Sequence, residues 1–307
     1  MIQFLVRRII FAALTFFAIV TVVFFLVRLA PGGPFDGERR LPPEIESNLR
    51  AAYNLDAPLY EQYRRFVVQL LQGDLGPSFK QKDFSINELI AAGLPVSMGL
   101  GISALLVALL MGLLIGTTAG FNQGTTIDRV LMGLSNFNLA IPTIVSAPLM
   151  VLIFSVVLSL FPAGGADTWW HFVLPTFALA IPFSAELARL IRGGVAETIT
   201  EPHVRTAYAK GIGTVRTVNR HILPIAVLPM ISYLAPAAAG LLTGTVVIEQ
   251  VFNLPGIGRY FVDGALNRDY TLVMGVTIVY SLAILIFNLI ADVAYGLVDP
   301  RIRATQQ

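Results

Sequence analysis

Apolar side chains run along this chain in six long blocks, at residues 9–30, 95–121, 130–160, 170–191, 225–251 and 272–298. Each is long enough to cross the hydrocarbon core of a bilayer as a helix, which takes about 20 residues. The third block is the longest. It carries Pro142 and Pro148 in its interior, so a bend is expected there. Small residues recur every four positions in two blocks: Gly112, Gly116 and Gly120 in the second, and Ser232, Pro236, Gly240 and Gly244 in the fifth. Such stripes let helix backbones approach closely. Packing inside one subunit is the preferred reading, ahead of a sliding seam or a partner interface.

Two polar stretches interrupt the blocks. The first, 31–94, opens on Pro31-Gly32-Gly33-Pro34, which stops the first helix. Within it Tyr63, Phe66, Val67, Leu70 and Leu71 recur at helical spacing and predict an amphipathic helix over 60–71, broken at Gly73-Asp74. That helix fits a surface receiving a partner and an interfacial helix lying on the span ends equally well. The second stretch, 200–229, is basic, with Arg205, Lys210, Arg216 and Arg220 against the single acid Glu201. Thr200 is the expected N-cap, with Pro202 in the first turn. Val204, Ala207 and Tyr208 recur on one helical face. Gly211 and Gly213 break the run where a positive φ costs least. Thr214 is expected to cap a second helix ending near Pro224. A compact helix–glycine–helix between spans is a handle that another protein can grip.

Composition agrees with a membrane protein. The 307 residues are 55% hydrophobic and 13% charged, where a soluble domain carries about 25% charge. There is no cysteine, which excludes disulfides, thiolate metal sites and a cysteine nucleophile. A formal charge of +2 is too small to argue for nucleic acid. The first block lacks a small-residue cleavage site and reads as a retained helix. Lys and Arg report orientation. Arg7, Arg8, Arg129, Arg192, the four cations of the 200–229 stretch, Arg301 and Arg303 fall on one side. The other side has only Arg259 and Arg268 in its short connections. The positive-inside rule places both termini and the basic island in the cytoplasm, with 31–94 outside.

Polar groups in the spans are few, since a charge at mid-bilayer costs at least about 2.5 kcal/mol. Glu186 and Arg189 are three apart and are expected to pair. Asn288 and Asp292 are four apart, placed to bond a neighbouring helix or to line an aqueous path. Glu249 ends the fifth block, as an outer gate or, preferably, as a solvated helix end. The chain has no GxxxxGK[ST], HExxH or GxSxG, and His171, His203 and His221 lack metal-ligand spacing. No proton relay or internal repeat is evident, which disfavours a secondary transporter working without ATP.

The run Arg205-Thr206-Ala207, three residues, Gly211, nine residues, His221, one residue, Leu223-Pro224 resembles the "EAA" coupling motif of ABC-importer membrane subunits. Ala207, Gly211 and Leu223-Pro224 match in register, while Arg205, Thr206 and His221 depart from the general pattern in the manner of the peptide branch. The Arg-Arg opening, RLAPGGPF (28–35), GERRLPPE (37–44), NLDAPLYEQY (54–63), GDLGPSF (73–79), NLPGIGRYFVDGALNRDY (253–270) and DPRIR (299–303) are similar to the B-type subunits of oligopeptide permeases. The resemblance implies an all-α integral membrane fold, six transmembrane helices of the type I importer architecture. Its parts would be a first helix (1–30), a periplasmic loop (31–94), a five-helix core (95–298) with a coupling region at 193–224, and a cytoplasmic tail (299–307). It implies an inner-membrane permease for oligopeptides, with dipeptides, glutathione, nickel or murein peptides as alternative cargo. The implied partners are a second, homologous permease, two ATPase subunits that hold ATP and Mg, and a periplasmic peptide-binding protein. No cofactor or catalysis is expected on this chain. Arg205, Ala207, Lys210, Gly211, His221, Leu223 and Pro224 would couple to the ATPase, and Glu249, Asn288 and Asp292 are candidates for a gate or pathway.

Overall fold

The computed structural model describes residues 2–29, 56–81 and 83–298. The expectations for 31–55 and for the tail at 299–307 lie outside the described residues. Within them regular structure is helical, apart from one isolated antiparallel bridge between Pro77 and Ser85. Five helices are long and apolar enough to cross a membrane, and a sixth candidate is broken into two.

The first span is α1 (Ile2–Leu29). The amphipathic helix α2 (Leu59–Leu71) follows and lies against it. Tyr63 and Phe66 of α2 surround the buried Phe24 of α1, with ring centroids 5.3 and 5.4 Å away. The Tyr63 hydroxyl also bonds Thr21 at 2.7 Å. One face of α2 is thus packed on a span end, while Tyr60, Val68 and Leu71 stay exposed.

The second span, α3 (Ile86–Phe121), starts nine residues before the expected Pro95. A capping box explains the early start. The Ser85 hydroxyl accepts from the Glu88 N–H at 3.2 Å, and the Glu88 carboxylate accepts from the Ser85 N–H at 2.8 Å. Pro95 then lies inside the helix without ending it. The connection between the first two spans is shorter than expected by those residues.

The third block is not one bent helix. α4 (Thr126–Ala140) and α5 (Thr143–Met150), which runs on as a π-helical stretch Val151–Val157, meet at 106°. The break sits at Ile141-Pro142. A residue before proline is pushed out of helical geometry, and Ile141 is extended at φ −94°, ψ 117°. Pro148 lies in the last turn of α5, just ahead of the switch to π geometry.

The helix α6 (Val173–Thr198), entered through a 3-10 turn at Trp169–Phe172, is the axis of the bundle. Of its most apolar window 56% is buried, more than in any other described span. Its partner α3 lies against it along the glycine stripe. A Cβ on Gly112 would stand 2.6 Å from the Leu187 Cβ, one on Gly116 2.8 Å from the Ile191 Cβ, and one on Gly120 2.7 Å from the Val195 Cβ. The first stripe is therefore a seam inside the subunit. In α10 (Leu228–Val251) Gly240 and Gly244 likewise admit Phe183 and Leu179 of α6, whereas Ser232 and Pro236 are exposed.

Between α6 and α10 lie α7 (Pro202–Ala209), α8 (Thr214–Thr217), a π-helical stretch Val218–Ile222 and α9 (Leu223–Ala226). After α10 come α11 (Ile257–Leu266) and the last span, α12 (Tyr270–Val298).

Candidate coupling site

The basic island is built on the end of α6. Val204 and Ala207 of α7 are buried, at 0% and 3% exposure. Val204 joins Ile191 and Val195 of α6 and Ile222 and Ala226 of the returning segment in one apolar cluster. Tyr208, expected on the same face, is instead 41% exposed. The His203 Nε2–H donates to the His221 carbonyl at 3.2 Å and ties the outgoing helix to the return. Gly194 lets α9 come within backbone contact of α6, since a Cβ there would be 2.9 Å from the Ala226 Cα.

Capping differs from expectation. Glu201, not Thr200, is the N-cap of α7, and its side chain makes no capping bond; the Thr200 hydroxyl turns back to the Glu197 carbonyl at 2.8 Å. Pro202 at N1 has no N–H that calls for an acceptor, and α7 starts without a side-chain cap. Gly213, not Thr214, is the N-cap of the second helix. Of the two glycines only Gly211 has a positive φ, +74°. Gly213 is extended at φ −60°, ψ 151°. The Gly211 N–H donates to the Tyr208 carbonyl at 2.9 Å and the Ile212 N–H to the Ala207 carbonyl at 3.2 Å, closing the α7 C-terminus. The second helix also changes pitch, from α to π and back, before Leu223 and Pro224 open α9.

Arg205, Lys210 and Gly211 all lie on the exposed surface, together with Tyr208, Val215 and Arg216. His221 and Leu223 are half-buried, and Pro224 is exposed. Ala207 is sunk into its own chain, so bulk at this position disturbs the seating of α7 on α6 before it reaches any partner. At Gly211 no atom lies within 4 Å of an added Cβ. Its constraint is the backbone angle rather than space.

Of the three gate or pathway candidates, Asn288 and Asp292 line one cleft and Glu249 lies apart from them. Glu249 lies at the end of the bundle opposite the island and is fully buried, so the solvated helix end is corrected. One carboxylate oxygen accepts from the Ser97 hydroxyl at 2.6 Å, and the other from the Gly258 and Arg259 N–H groups at 2.7 and 3.3 Å. Ser97 in turn accepts from the Ile257 N–H at 2.9 Å. The carboxylate thus caps α11 from within, a use of the positive helix N-terminus. Gly256 and Gly258 leave room for it: a Cβ on Gly256 would be 2.6 Å from the Ser97 Oγ, and one on Gly258 2.8 Å from Glu249 Oε2. Asp292 lies toward the island end of α12 and pairs with Arg8 of α1 at 3.0 Å. Asn288 lines a cleft of about 250 Å³ beside that pair, between α1, α10 and α12. Glu186 and Arg189 approach at 3.7 Å, and Arg189 also donates to Asn136 at 3.2 Å.

Two polar clamps were not foreseen. Arg192 of α6 grips the buried Asp128 of α4 through two bonds of 2.6 and 2.7 Å, and Asp128 also accepts from the Gly124 N–H at 2.8 Å. Asp269, 1% exposed, accepts from Ser78 and from the N–H groups of Phe79 and Lys80, and caps α12 at the Leu272 N–H at 3.1 Å. The signal available in each case was an acid two or three residues ahead of an apolar block. The distant partners have no sequence signal.

Residues 108–304 match the family model of the binding-protein-dependent transport system inner membrane component. Residues 1–100 match that family's N-terminal membrane component. The oligopeptide transport system permease protein OppB of Haemophilus influenzae is 45% identical over 305 residues, covering 99% of this chain and 100% of its own. The OppB protein of Escherichia coli K12 is 44% identical over the same shares. The dipeptide transport system permease protein DppB of Bacillus subtilis is 38% identical, covering 99% and 98%. Among solved structures, the chain overlays an amino acid ABC transporter with histidines at TM-score 0.52 and the inward-facing MetNI methionine ABC transporter at 0.55. Identities there are 20% and 17%, over 68% and 69% of this chain and 94% and 96% of theirs, a likeness of fold. By the span of the family match and by these identities, the chain belongs to the binding-protein-dependent transport system inner membrane components.

Proposed function

We propose that this chain is one of two membrane-spanning subunits of an ATP-driven importer, and that it forms half of the path by which oligopeptides cross the inner membrane. The observation that carries this is the build of the 200–229 island. Val204 and Ala207 root a short helix in α6, while Arg205, Tyr208 and Lys210 face outward with nothing upon them among the described residues. A knob held on one side and bare on the other transmits force rather than binding cargo. Leu223 and Pro224 lead from it directly into α9 and α10, so a push on α7 reaches a span that crosses the whole bundle.

The ATP and Mg belong to two ATPase subunits on other chains, and a homologous permease and a periplasmic peptide-binding protein complete the assembly. Both termini and the island face the cytoplasm, as the Lys and Arg asymmetry argues. Oligopeptide cargo is favoured over dipeptides because the OppB relatives stand at 44–45% identity and the DppB relative of Bacillus subtilis at 38%.

The test is co-purification from solubilised membranes with a tagged chain. Wild type is expected to bring down ATPase subunits and a second permease. Arg205→Glu with Lys210→Glu changes only exposed charge, and is expected to lose the ATPase while keeping the permease. Wild type without any ATPase would sink the proposal and bring forward transport without ATP. Uptake of labelled tripeptides and longer peptides against dipeptides then decides the cargo.

A further inference from the structure

The end of α1 remote from the island holds an arginine two of whose donor atoms find no acceptor among the described residues. Arg28 lies one residue before the end of α1, its guanidinium 4.9 Å over the ring of Phe24. Its Nε and Nη1 are buried and have no hydrogen-bond partner among the described residues. A ring face attracts the charge but cannot accept the in-plane N–H groups. Charged donors left unmade in the interior are among the costlier arrangements in a folded protein, so such a group calls for an acceptor from elsewhere.

A cavity of about 180 Å³ adjoins it, bounded by Arg28, Gln62, Arg65, Gln69 and Thr271. No carboxylate is among its described lining residues. Arg65 is held by Glu61 at 2.6 Å, and the Thr271 hydroxyl donates to the Pro77 carbonyl at 2.9 Å. The volume exceeds that of a few waters at about 30 Å³ each. The Gln62 amide N–H is already given to the Ala57 carbonyl at 2.7 Å, so the buried donors left around this space are those of the Arg28 guanidinium, which suit an anion with several oxygens.

The surroundings say where that anion comes from. α1 packs chiefly along α12 at the rim of the bundle. Beside the cavity, Val22, Leu26 and Leu29 of α1 are exposed, as are Val68 and Leu71 of α2. An anion site flanked by bare apolar side chains at a span end matches a phospholipid, with headgroup and chains side by side. We propose that this cavity binds the phosphodiester of a membrane phospholipid through Arg28, with the acyl chains laid along α1.

The experiment uses the full-length chain in neutral detergent with phosphatidylglycerol added, read by native mass spectrometry of bound lipid. Arg28→Gln removes the cation and Arg28→Lys keeps it. Gln69→Glu leaves Arg28 in place and supplies a carboxylate to fill its donors, which keeps the test if Arg28→Gln does not fold. Binding is expected to weaken about tenfold, the worth of one charge-assisted bond, in Arg28→Gln and Gln69→Glu. Arg28→Lys is expected to fall between these and wild type. Equal lipid retention in all four would overturn the proposal. Inorganic phosphate is expected to compete poorly, because it brings no chains; full displacement by it would remove the lipid from the site. Displacement by a tripeptide with a free carboxylate, but not by its amide, would assign the cavity to peptide and overturn the lipid reading.

Discussion

Gly211 and Gly213 differ in what they tolerate, although one residue separates them. Gly211 holds φ +74°, a conformation that costs an L-residue about 1–2 kcal/mol. Gly213 holds an extended conformation open to any residue. Gly211→Ala is therefore expected to lower peptide uptake and the stability of the island, while Gly213→Ala leaves both near wild type. Equal effects would show that backbone angle is not what the first glycine supplies. At Glu249 the comparison runs the other way, from side chain to backbone. Glu249→Leu would strand the donors of Ser97, Gly258 and Arg259 in the interior, a loss of roughly 3 kcal/mol or more. Ser97→Ala, which removes one donor and one acceptor, is expected to cost about 1 kcal/mol. Thermal unfolding of the purified chain reads both, and an unchanged midpoint for Glu249→Leu would contradict the capping role.

At the scale of elements, the glycine seam between α3 and α6 makes a sharp prediction. Gly116→Leu would drive side-chain atoms into the α6 backbone and is expected to lower stability by about 3 kcal/mol or more. Gly99→Ala and Gly133→Ala lie on helices whose added Cβ meets nothing within 4 Å, and are expected to be neutral or slightly stabilising. A thermal series over the three variants checks this. The spans, the stripe at four-residue spacing and α2 were all legible in the sequence, because periodicity and length are local properties. The break at Ile141-Pro142 was legible as a place but not as a 106° turn, since the angle depends on what α4 and α5 pack against. The start of α3 was misplaced because Pro95 reads as a boundary, while the box at Ser85 and Glu88 outweighs it. In the island the exposure of Arg205 and Lys210 was readable from the charge of the stretch. The burial of Ala207, the pairing of His203 with the His221 carbonyl and the π stretch at Val218–Ile222 depend on contacts remote in sequence. The same holds for the Asp128–Arg192 and Asp269–Ser78 clamps.

For the whole molecule, the missing cysteines turn orientation into a simple measurement. Thr214→Cys in the island and Leu266→Cys at the tip of α11 are both exposed single sites on a thiol-free chain. A membrane-impermeant maleimide is expected to label Leu266→Cys in intact spheroplasts and Thr214→Cys only after lysis; the reverse pattern would invert the topology. The seam between α3 and α6 has a further consequence for how the proposed coupling would move the bundle. Three glycines in register leave no slack, so a slide by even one residue's rise, about 1.5 Å, would set a β-carbon against backbone. Two rods so meshed behave as a single spar. Under the proposed coupling, displacement arriving through the island has to swing that spar entire, and the relative motion falls on what surrounds it, the split α4–α5 elbow above all. A covalent staple across the spar should leave transport intact, while a staple across the elbow should stall it.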